Sequence, residues 1–347
     1  MALKLAVIGV GRWGINHVRV LTQLRDSGEG VEEVIVVDRD RGRARYVAER
    51  FRADSFLDDL SQLLSRQVDA AVVSVPTIYH YDVSRRLIPY MDLLIEKPLA
   101  SKLEEGLEIV RLAEKYDRVV SVGHIERYNP VVMAVKDKLA ELNERVIQVV
   151  GQRIGPGPVG KKTGNLGVAH DLLVHDVDIV NLLLNELPTK VFAITHKEPS
   201  FPYEVDIQTI YGYPSGAQAY LRASWRAGPT LKKRAMVLQT RTTVLTFDYI
   251  SQEIAIERGL SEHRSSGEYM DIVSSYKARR CERISLVARR EHEPLLLELK
   301  DFVKSVERRK RPLVDVKDGY VALKCVLHAL KSAELNRPVE ITWDDLS

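Results

Sequence analysis

The chain is poor in cysteine and almost without net charge, and both shortages exclude classes of protein. Only 2 of its 347 residues are cysteines. These are Cys281 and Cys325, and since neither belongs to a CxxC pair, we expect a reducing compartment, no disulfide framework and no zinc site. The 51 Lys and Arg residues against 48 Asp and Glu leave a formal charge of +3, too small to favour nucleic acid as a partner. An anionic small molecule is compatible with this balance.

Long apolar runs are also missing. The longest fall far short of the roughly 18 residues that a membrane span needs, and the N-terminal MALKLAVIGVG lacks the basic and long apolar regions of a signal peptide. We therefore expect a soluble, cytoplasmic protein without a membrane partner. Hydrophobic residues make up 45% and charged residues 29% of the chain, which is typical of a globular protein, and the length fits two domains.

Short apolar runs alternate with helical patterns over the first third of the chain. Strands that are buried on both faces and joined by helices predict a doubly wound parallel α/β sheet, a Rossmann-type domain over 1–123. The strand runs cover 5–10, 34–37, 70–75, 93–95 and 119–123. The helical patterns cover 17–25, 42–52, 57–64, 81–88 and 103–116.

The alternation stops after residue 123, and the rest, 124–347, is predicted to be an α+β domain with a large, open, mostly antiparallel sheet. Five β-rich runs of similar length lie between residues 190 and 250. A glycine-rich loop, GPGPVGKKTGNLG, is long enough to be a lid or a binding loop. Helical patterns cover 130–143, 170–185, 294–308 and 319–336.

A GxGxxG motif directly follows the first strand and precedes the first helix. Gly9 permits a tight turn, Gly11 permits close approach of a pyrophosphate, and Gly14 permits close packing of helix on strand. Asp38 ends the second strand and follows the last glycine of the motif at close to the expected spacing of about 20 residues. A carboxylate at this position binds ribose hydroxyls. The pattern predicts a dinucleotide site for NAD.

NADP stays open as an alternative cofactor. Arg39, Arg41 and Arg43 follow Asp38 directly. They could bind a 2′-phosphate if Asp38 turned away from the ribose.

Three residues are candidates for proton transfer. Lys97, in the sequence EKP, follows an apolar strand and should lie at the carboxyl end of the sheet, where such folds bind ligands. Asp171 and His175 stand four residues apart, on one face of a predicted helix. His170, Asp176 and Asp178 are rivals for their roles. Two other interpretations stay open: the pair binds a metal, or Asp171 caps the helix and His175 is a core residue. No second cluster completes a metal shell, so we predict no metal site.

Together these motifs resemble the glucose-fructose oxidoreductase / inositol dehydrogenase (Gfo/Idh/MocA) family. The matching segments are GVGRWG at 9–14, VPTIYH at 75–80, EKP at 96–98, GHIERYNP at 123–130 and DLLVHDVD at 171–178. The resemblance implies hydride transfer between NAD and a sugar or cyclitol carbon. It also implies a homodimer or homotetramer formed through the C-terminal sheet.

The resemblance assigns roles to individual residues. Lys97 matches the active-site lysine, and Asp171 and His175 match the family's DxxxH pair. We expect Lys97 to be the base because its strand end is fixed beside the nicotinamide, with His175 as second base or relay and Asp171 holding the substrate. The cofactor-binding set that the resemblance implies is Gly9, Gly11, Arg12, Trp13, Gly14, Asp38, Arg39, Pro76, Thr77, His80, Glu96 and Lys97. The chain departs from many members in LLIEKP, which lacks their glycine-lysine-histidine turn.

GHIERYNP followed by RIGPGP resembles the branch that oxidises UDP-N-acetylglucosamine at C3. That resemblance places basic and polar residues against a nucleotide sugar, together with Lys97, Asp171 and His175. They are Arg127, Tyr128, Asn129, Arg153, Lys161 and Lys162. The alternatives are that this segment only joins domains, that the substrate is another sugar or cyclitol, or that the protein is a non-catalytic dinucleotide-binding regulator.

Overall fold

The first domain is built on a six-stranded sheet in the order β3-β2-β1-β4-β5-β6. In the computed structural model, which describes residues 2–157, 166–199, 201–258, 281–287 and 290–346, every strand of this sheet runs parallel to its neighbours. The strands are β1 (Leu3–Ile8), β2 (Val31–Val37), β3 (Ser55–Leu57), β4 (Ala70–Val73), β5 (Asp92–Ile95) and β6 (Val120–Val122). All residues of β4 and β5 are buried, which explains their continuous apolar runs.

The helices between these strands complete the predicted doubly wound fold, which the structure confirms. They are α1 (Gly14–Asp26), α2 (Arg41–Phe51), α3 (Leu60–Leu64), α4 (His80–Leu87) and α5 (Leu103–Lys115). Sequence patterns missed β3 and assigned its last residue, Leu57, to a helix. The reason is that β3 has only three residues and only Leu57 is fully buried, so it shows no apolar run.

A nine-stranded sheet in the order β14-β13-β12-β11-β7-β10-β9-β8-β15 forms the second domain. All described pairs are antiparallel except β7 with β10, which confirms the mostly antiparallel sheet. The strands are β7 (Gln148–Ile154), β8 (Lys190–Lys197), β9 (Glu204–Gly212), β10 (Gln218–Ser224), β11 (Lys233–Gln239), β12 (Thr243–Asp248), β13 (Glu253–Arg258), β14 (Cys281–Ser285) and β15 (Val339–Glu340). Helices α6 (Pro130–Leu142) and α7 (Val174–Leu184) contribute to the core on one face.

The last two helices, α8 (Pro294–Arg308) and α9 (Val316–Leu335), pack on both domains. Phe302 of α8 shares a core with β1 and β2, and Tyr320 of α9 shares one with β5 and β6. Cys325, on another face of α9, packs in the core of the second sheet. The end of the chain therefore joins the two domains. The boundary at residue 123 stays a prediction.

No helix within the described ranges combines the length and apolarity needed to cross a membrane.

Candidate active site

The glycine-rich loop after β1 leaves room for a ligand. Gly9 has a φ of +84°, and a Cβ there would lie 2.8 Å from Cγ1 of Val75. A Cβ at Gly14 would lie 1.9 Å from the carbonyl oxygen of Gly9, whereas one at Gly11 would meet nothing within 4 Å. No described side chain caps the N-terminus of α1, whose dipole favours a negative charge there. This geometry fits a pyrophosphate.

Asp38 is held at the carboxyl end of β2 beside this loop. Its Oδ2 accepts a hydrogen bond from the Val10 backbone N–H at 3.0 Å, and Oδ1 accepts one from Asp40 N–H at 2.9 Å. The carboxylate has therefore not turned away, which was the condition for NADP binding by the arginines. Arg43 Nη1 lies 3.6 Å from Asp38 Oδ2, and Arg12, Trp13 and Arg39 are exposed around the loop.

We expect Asp38→Ser to weaken the use of NAD and to improve that of NADP. Loss of charged hydrogen bonds to the ribose should lower kcat/KM for NAD about 10- to 100-fold, and removal of the carboxylate leaves Arg39 and Arg43 free to meet a 2′-phosphate. Steady-state rates with each cofactor measure the ratio. The control Asp40→Ser keeps a helix-capping hydroxyl and should leave the ratio unchanged. An unaltered NAD preference in Asp38→Ser would contradict the assignment.

The segments after β4 and β5 are tied together by His80. Its Nδ1 lies 2.9 Å from the carbonyl oxygen of Pro98 and its Nε2 lies 2.9 Å from that of Val75. Burial lowers the pKa of His80 although both carbonyls favour the charged ring. Pro76 and the buried Thr77 lie on the same connection. The neutral ring has one N–H to donate, so His80 can hydrogen-bond one of these carbonyl oxygens and lies against the other. Its predicted contact with the cofactor stays a prediction.

Glu96 is also engaged by the protein. Its Oε1 lies 2.8 Å from Nε2 of the buried His17, and its Oε2 accepts a hydrogen bond from the Lys97 backbone N–H at 3.2 Å. These contacts orient the backbone at Lys97.

Lys97 and Asp171, which sequence reasoning placed in one site, are brought together. Lys97 Nζ donates to Asp171 Oδ1 at 2.9 Å and to the Asp171 carbonyl oxygen at 2.7 Å. Trp225 Nε1 donates to Asp171 Oδ2 at 3.2 Å. Burial alone would raise the pKa of the Asp171 carboxyl, but the charge of Lys97 and hydrogen bonds from Lys97 and Trp225 outweigh it and lower the pKa. The Asp171 side chain is 48% exposed, so this ion pair is open to a ligand.

Asp171 lies in a π-helix, Ala169–Leu173, and not in the regular α-helix predicted from residue 170. The Val174 backbone N–H donates to the Ala169 carbonyl oxygen, five residues earlier. Glu204, on β9, accepts a hydrogen bond from Ala169 N–H at 3.0 Å and so holds the start of this turn. A wide turn leaves the Asp171 carbonyl oxygen available to Lys97, and such turns are common at functional sites.

Three buried histidines surround Lys97 and Asp171. Burial, together with the positive charge of Lys97, lowers the pKa of His170 to about 4 and that of His175 well below its ordinary value. Burial also lowers the pKa of His124, whose ring meets that of His175 edge-on at 6.4 Å. All three are neutral near pH 7, and Nδ1 of His175 has no hydrogen-bond partner among the described residues. Within those residues no group of three His, Cys, Asp or Glu side chains is placed to hold a metal ion.

These histidines should make the protein sensitive to acid. Below its ordinary pKa of 6.5, each histidine binds a proton in the unfolded chain but not yet in the folded one. The free energy of unfolding should therefore fall on acidification below pH 6.5. For His170 the fall should continue to about pH 4, at about 1.4 kcal/mol per pH unit. Urea unfolding of His170→Gln across this range should give a shallower dependence. The exposed His196→Gln serves as control, and equal slopes in all three proteins would contradict the prediction.

Arg127, Tyr128 and Asn129, predicted to bind substrate, make their contacts inside the protein. Arg127 donates to both oxygens of the buried Asp178, at 2.6 to 3.1 Å. Tyr128 Oη donates to Asp301 at 2.7 Å. The Asn129 side chain accepts from the Val131 N–H at 3.2 Å and caps α6. The structure does not bring these three side chains to the Lys97–Asp171 pair.

Arg153 is likewise internal, with 1% of its surface exposed. Its Nε donates to Asp176 at 2.8 Å and its Nη1 to Glu126 at 2.7 Å, and its guanidinium lies 4.8 Å from the ring centre of Tyr249. A motif shows the positive charge of an arginine but not the carboxylates that other elements bring to it. Lys161 and Lys162 lie outside the described residues.

Sequence reasoning missed Trp225, His124 and the basic residues at the start of β11. Trp225 follows β10 directly, so its position at a strand end was the only available signal. Lys232 and Arg234 belong to a KKR run that a sequence pattern alone cannot distinguish from a solvated surface.

Comparison with known proteins agrees with this architecture. The chain is 25% identical over 351 residues to scyllo-inositol 2-dehydrogenase (NAD(+)) of Bacillus subtilis, covering 98% of this chain and 96% of the relative. It is 24% identical over 334 residues to UDP-N-acetylglucosamine 3-dehydrogenase of Acidithiobacillus ferrooxidans, covering 96% and 97%.

Two solved structures have the same fold. That of the Acidithiobacillus ferrooxidans UDP-N-acetylglucosamine 3-dehydrogenase superposes with a TM-score of 0.80 at 22% identity, covering 96% of this chain and 99% of the other. Levoglucosan dehydrogenase in complex with NADH and levoglucosan superposes with a TM-score of 0.84 at 15% identity, covering 99% and 100%.

Both domains match one family. Residues 3–124 match its N-terminal domain, an oxidoreductase domain with an NAD-binding Rossmann fold, and residues 160–341 match its C-terminal alpha/beta domain. The family resemblance and the cofactor predicted from sequence, NAD, are thereby confirmed. The chain belongs to the Gfo/Idh/MocA family of NAD-binding oxidoreductases.

Proposed function

We propose that this protein is an NAD-dependent dehydrogenase that oxidises a secondary hydroxyl of a sugar or cyclitol to a ketone. The observation that carries the proposal is the Lys97–Asp171 ion pair, with Nζ and Oδ1 2.9 Å apart. Lys97 follows β5, and in a parallel sheet the carboxyl ends of β1, β4 and β5 share the edge that carries the glycine loop. A non-catalytic regulator would need no such pair beside its dinucleotide site.

The residues around the pair divide the work of proton transfer. NAD, when bound, supplies the acceptor for the hydride that leaves the carbinol carbon. Lys97 Nζ gives one of its protons to Asp171 Oδ1, and the neutral amine then takes the hydroxyl proton. Asp171, which is half-exposed, releases the proton it received to water. His175 is neutral and has an unpartnered Nδ1, so it holds the substrate hydroxyl in place or serves as the second base.

We further propose UDP-N-acetylglucosamine, oxidised at C3, as the substrate. Support comes from the resemblance of GHIERYNP and RIGPGP to that branch and from a relative of that activity over nearly the full length. The relatives named as inositol dehydrogenases make scyllo- and myo-inositol the alternative substrates.

The experiment is a comparison of NADH formation from NAD with UDP-N-acetylglucosamine, N-acetylglucosamine, myo-inositol and scyllo-inositol. We expect the highest kcat/KM with the nucleotide sugar. Faster oxidation of an inositol would overturn the substrate and keep the dehydrogenase. Absence of NADH with every sugar and cyclitol would overturn the dehydrogenase itself.

We also propose that two or four chains associate through the outer face of the C-terminal sheet. Ile194 on β8 and Ile210 on β9 are 49% and 48% exposed and are diagonal neighbours on that face. Ile210→Lys should shift the sedimentation coefficient towards that of a monomer, whereas Ile250→Lys, on an exposed turn, should not. A wild type that sediments as a monomer would contradict this association.

A further inference from the structure

Two basic residues lie together beside the Lys97–Asp171 pair and have no role in the chemistry described so far. Arg234, on β11, is directly opposite Arg153 of β7, so both side chains leave the same face of the sheet. Lys232 precedes Arg234 by two residues in extended chain and therefore shares its face. A Cβ on Gly155, which follows β7, would lie 3.7 Å from Lys232 Cγ.

The carboxylates near this basic pair already form ion pairs with other cations. Arg153 holds Asp176 and Glu126, and Lys97 holds Asp171. Arg234 comes only within 3.6 Å of Glu126, which is 2.7 Å from Arg153. Lys232 forms no ion pair with any described carboxylate. The pair therefore carries positive charge that the described protein groups do not neutralise.

The neighbouring positive charges disfavour the protonated forms of both Lys232 and Arg234. The charge of Arg234, followed by burial, lowers the pKa of Lys232. Burial and the charge of Arg153 lower the pKa of Arg234. Folding has thus brought like charges together, and a bound anion would relieve their repulsion.

The basic pair also adjoins the substrate cleft. The Gly155 N–H, beside Lys232, donates to the Ser224 carbonyl oxygen at 3.0 Å, and the next residue, Trp225, donates to Asp171 Oδ2 at 3.2 Å. Lys232 is exposed and the Arg234 side chain is about one-third exposed, at 32%. A lysine beside an arginine fork is suited to phosphate oxygens.

We propose that Lys232 and Arg234 form a subsite for the diphosphate of a nucleotide-sugar substrate. The inference rests on the proposed function, because it places this anion on the sugar that Lys97 and Asp171 oxidise. An inositol carries no charge and would leave the subsite without a partner. An acidic sugar would offer a carboxylate instead, and the experiment separates that source from the diphosphate.

The test is calorimetric binding of UDP to the full-length protein saturated with NAD, so that the dinucleotide site is occupied. We expect Lys232→Gln and Arg234→Gln each to raise the Kd for UDP about 10-fold, through loss of charged hydrogen bonds. Lys233→Gln is the matched control, because Lys233 is exposed on the same strand and its side chain leaves the opposite face. Arg234→Lys is made in case Arg234→Gln folds poorly. It keeps the charge, so it should keep part of the affinity for UDP.

The outcomes separate the subsite from the function. Unchanged UDP affinity in Lys232→Gln and Arg234→Gln, or binding of glucuronate in preference to UDP, would overturn the subsite. Oxidation of UDP-N-acetylglucosamine under those results would leave the proposed function standing. Weakened UDP binding in both Gln variants, without oxidation of any nucleotide sugar, would support the subsite and overturn the substrate.

Discussion

Replacement of Lys97 with methionine is expected to lower kcat by about 10²- to 10⁴-fold, the usual contribution of a positioned proton-transfer group. Methionine keeps most of the side-chain volume and removes the amine that contacts Asp171 Oδ1 and the Asp171 carbonyl oxygen. The measurement is the single-turnover rate of NADH formation with the substrate that proves most active. Binding of NAD should persist, because the glycine loop and Asp38 do not depend on the amine.

Loss of folding would not explain such a result. The Asp171 side chain is 48% exposed, so water can solvate the carboxylate that the variant leaves without its cation, and the stability cost should stay at about 1 kcal/mol or less. Lys102→Met, at an exposed lysine after the same strand, is the control and should keep wild-type turnover. Wild-type turnover in Lys97→Met itself would show that Lys97 is not the base and would assign that role to His175.

Arg153→Met is expected to lower the free energy of unfolding by roughly 3–5 kcal/mol, the range for breaking a buried ion pair. The substitution leaves Asp176 and Glu126 buried without the guanidinium that both contact. Urea unfolding measures the loss, and Arg145→Met, at an exposed arginine before the same strand, should change little.

The two roles for Arg153 make opposite predictions. As a substrate ligand, Arg153 would raise KM on substitution and leave the free energy of unfolding nearly unchanged. As an internal partner of Asp176 and Glu126, Arg153 would mainly lower the free energy of unfolding on substitution. A stable Arg153→Met protein with a raised KM for a nucleotide sugar would therefore restore the role suggested by the sequence.

The parallel sheet and its glycine loop could be predicted because their signals are local. A strand buried on both faces must be apolar throughout, as β4 and β5 are. The tight turn at Gly9 and the close approach at Gly14 exclude any side chain. The proposed active-site pair could also be predicted from sequence, since Lys97 follows a strand and Asp171 begins a helical pattern. The three-residue β3 and the π-helix gave no comparable periodic signal.

The substrate-binding residues could not be predicted in the same way, because their roles depend on partners far along the chain. Arg127 meets Asp178, and Arg153 meets Asp176 and Glu126, each brought from a separate element. Lys232 and Arg234 look no different in sequence, yet folding leaves them without a full complement of carboxylates.

The sequence by itself determined the Rossmann sheet, the glycine loop with Asp38, and the strand end that carries Lys97, since backbone sterics and burial act between near neighbours. Only the tertiary structure decided which charges are neutralised. Coulomb energy in a poorly solvated interior depends on the distance between groups and on their burial. Neither the distances nor the burial can be read from a motif. The fold alone therefore decided that Arg153 pairs with internal carboxylates while Lys232 and Arg234 lie at the cleft without a full set of them.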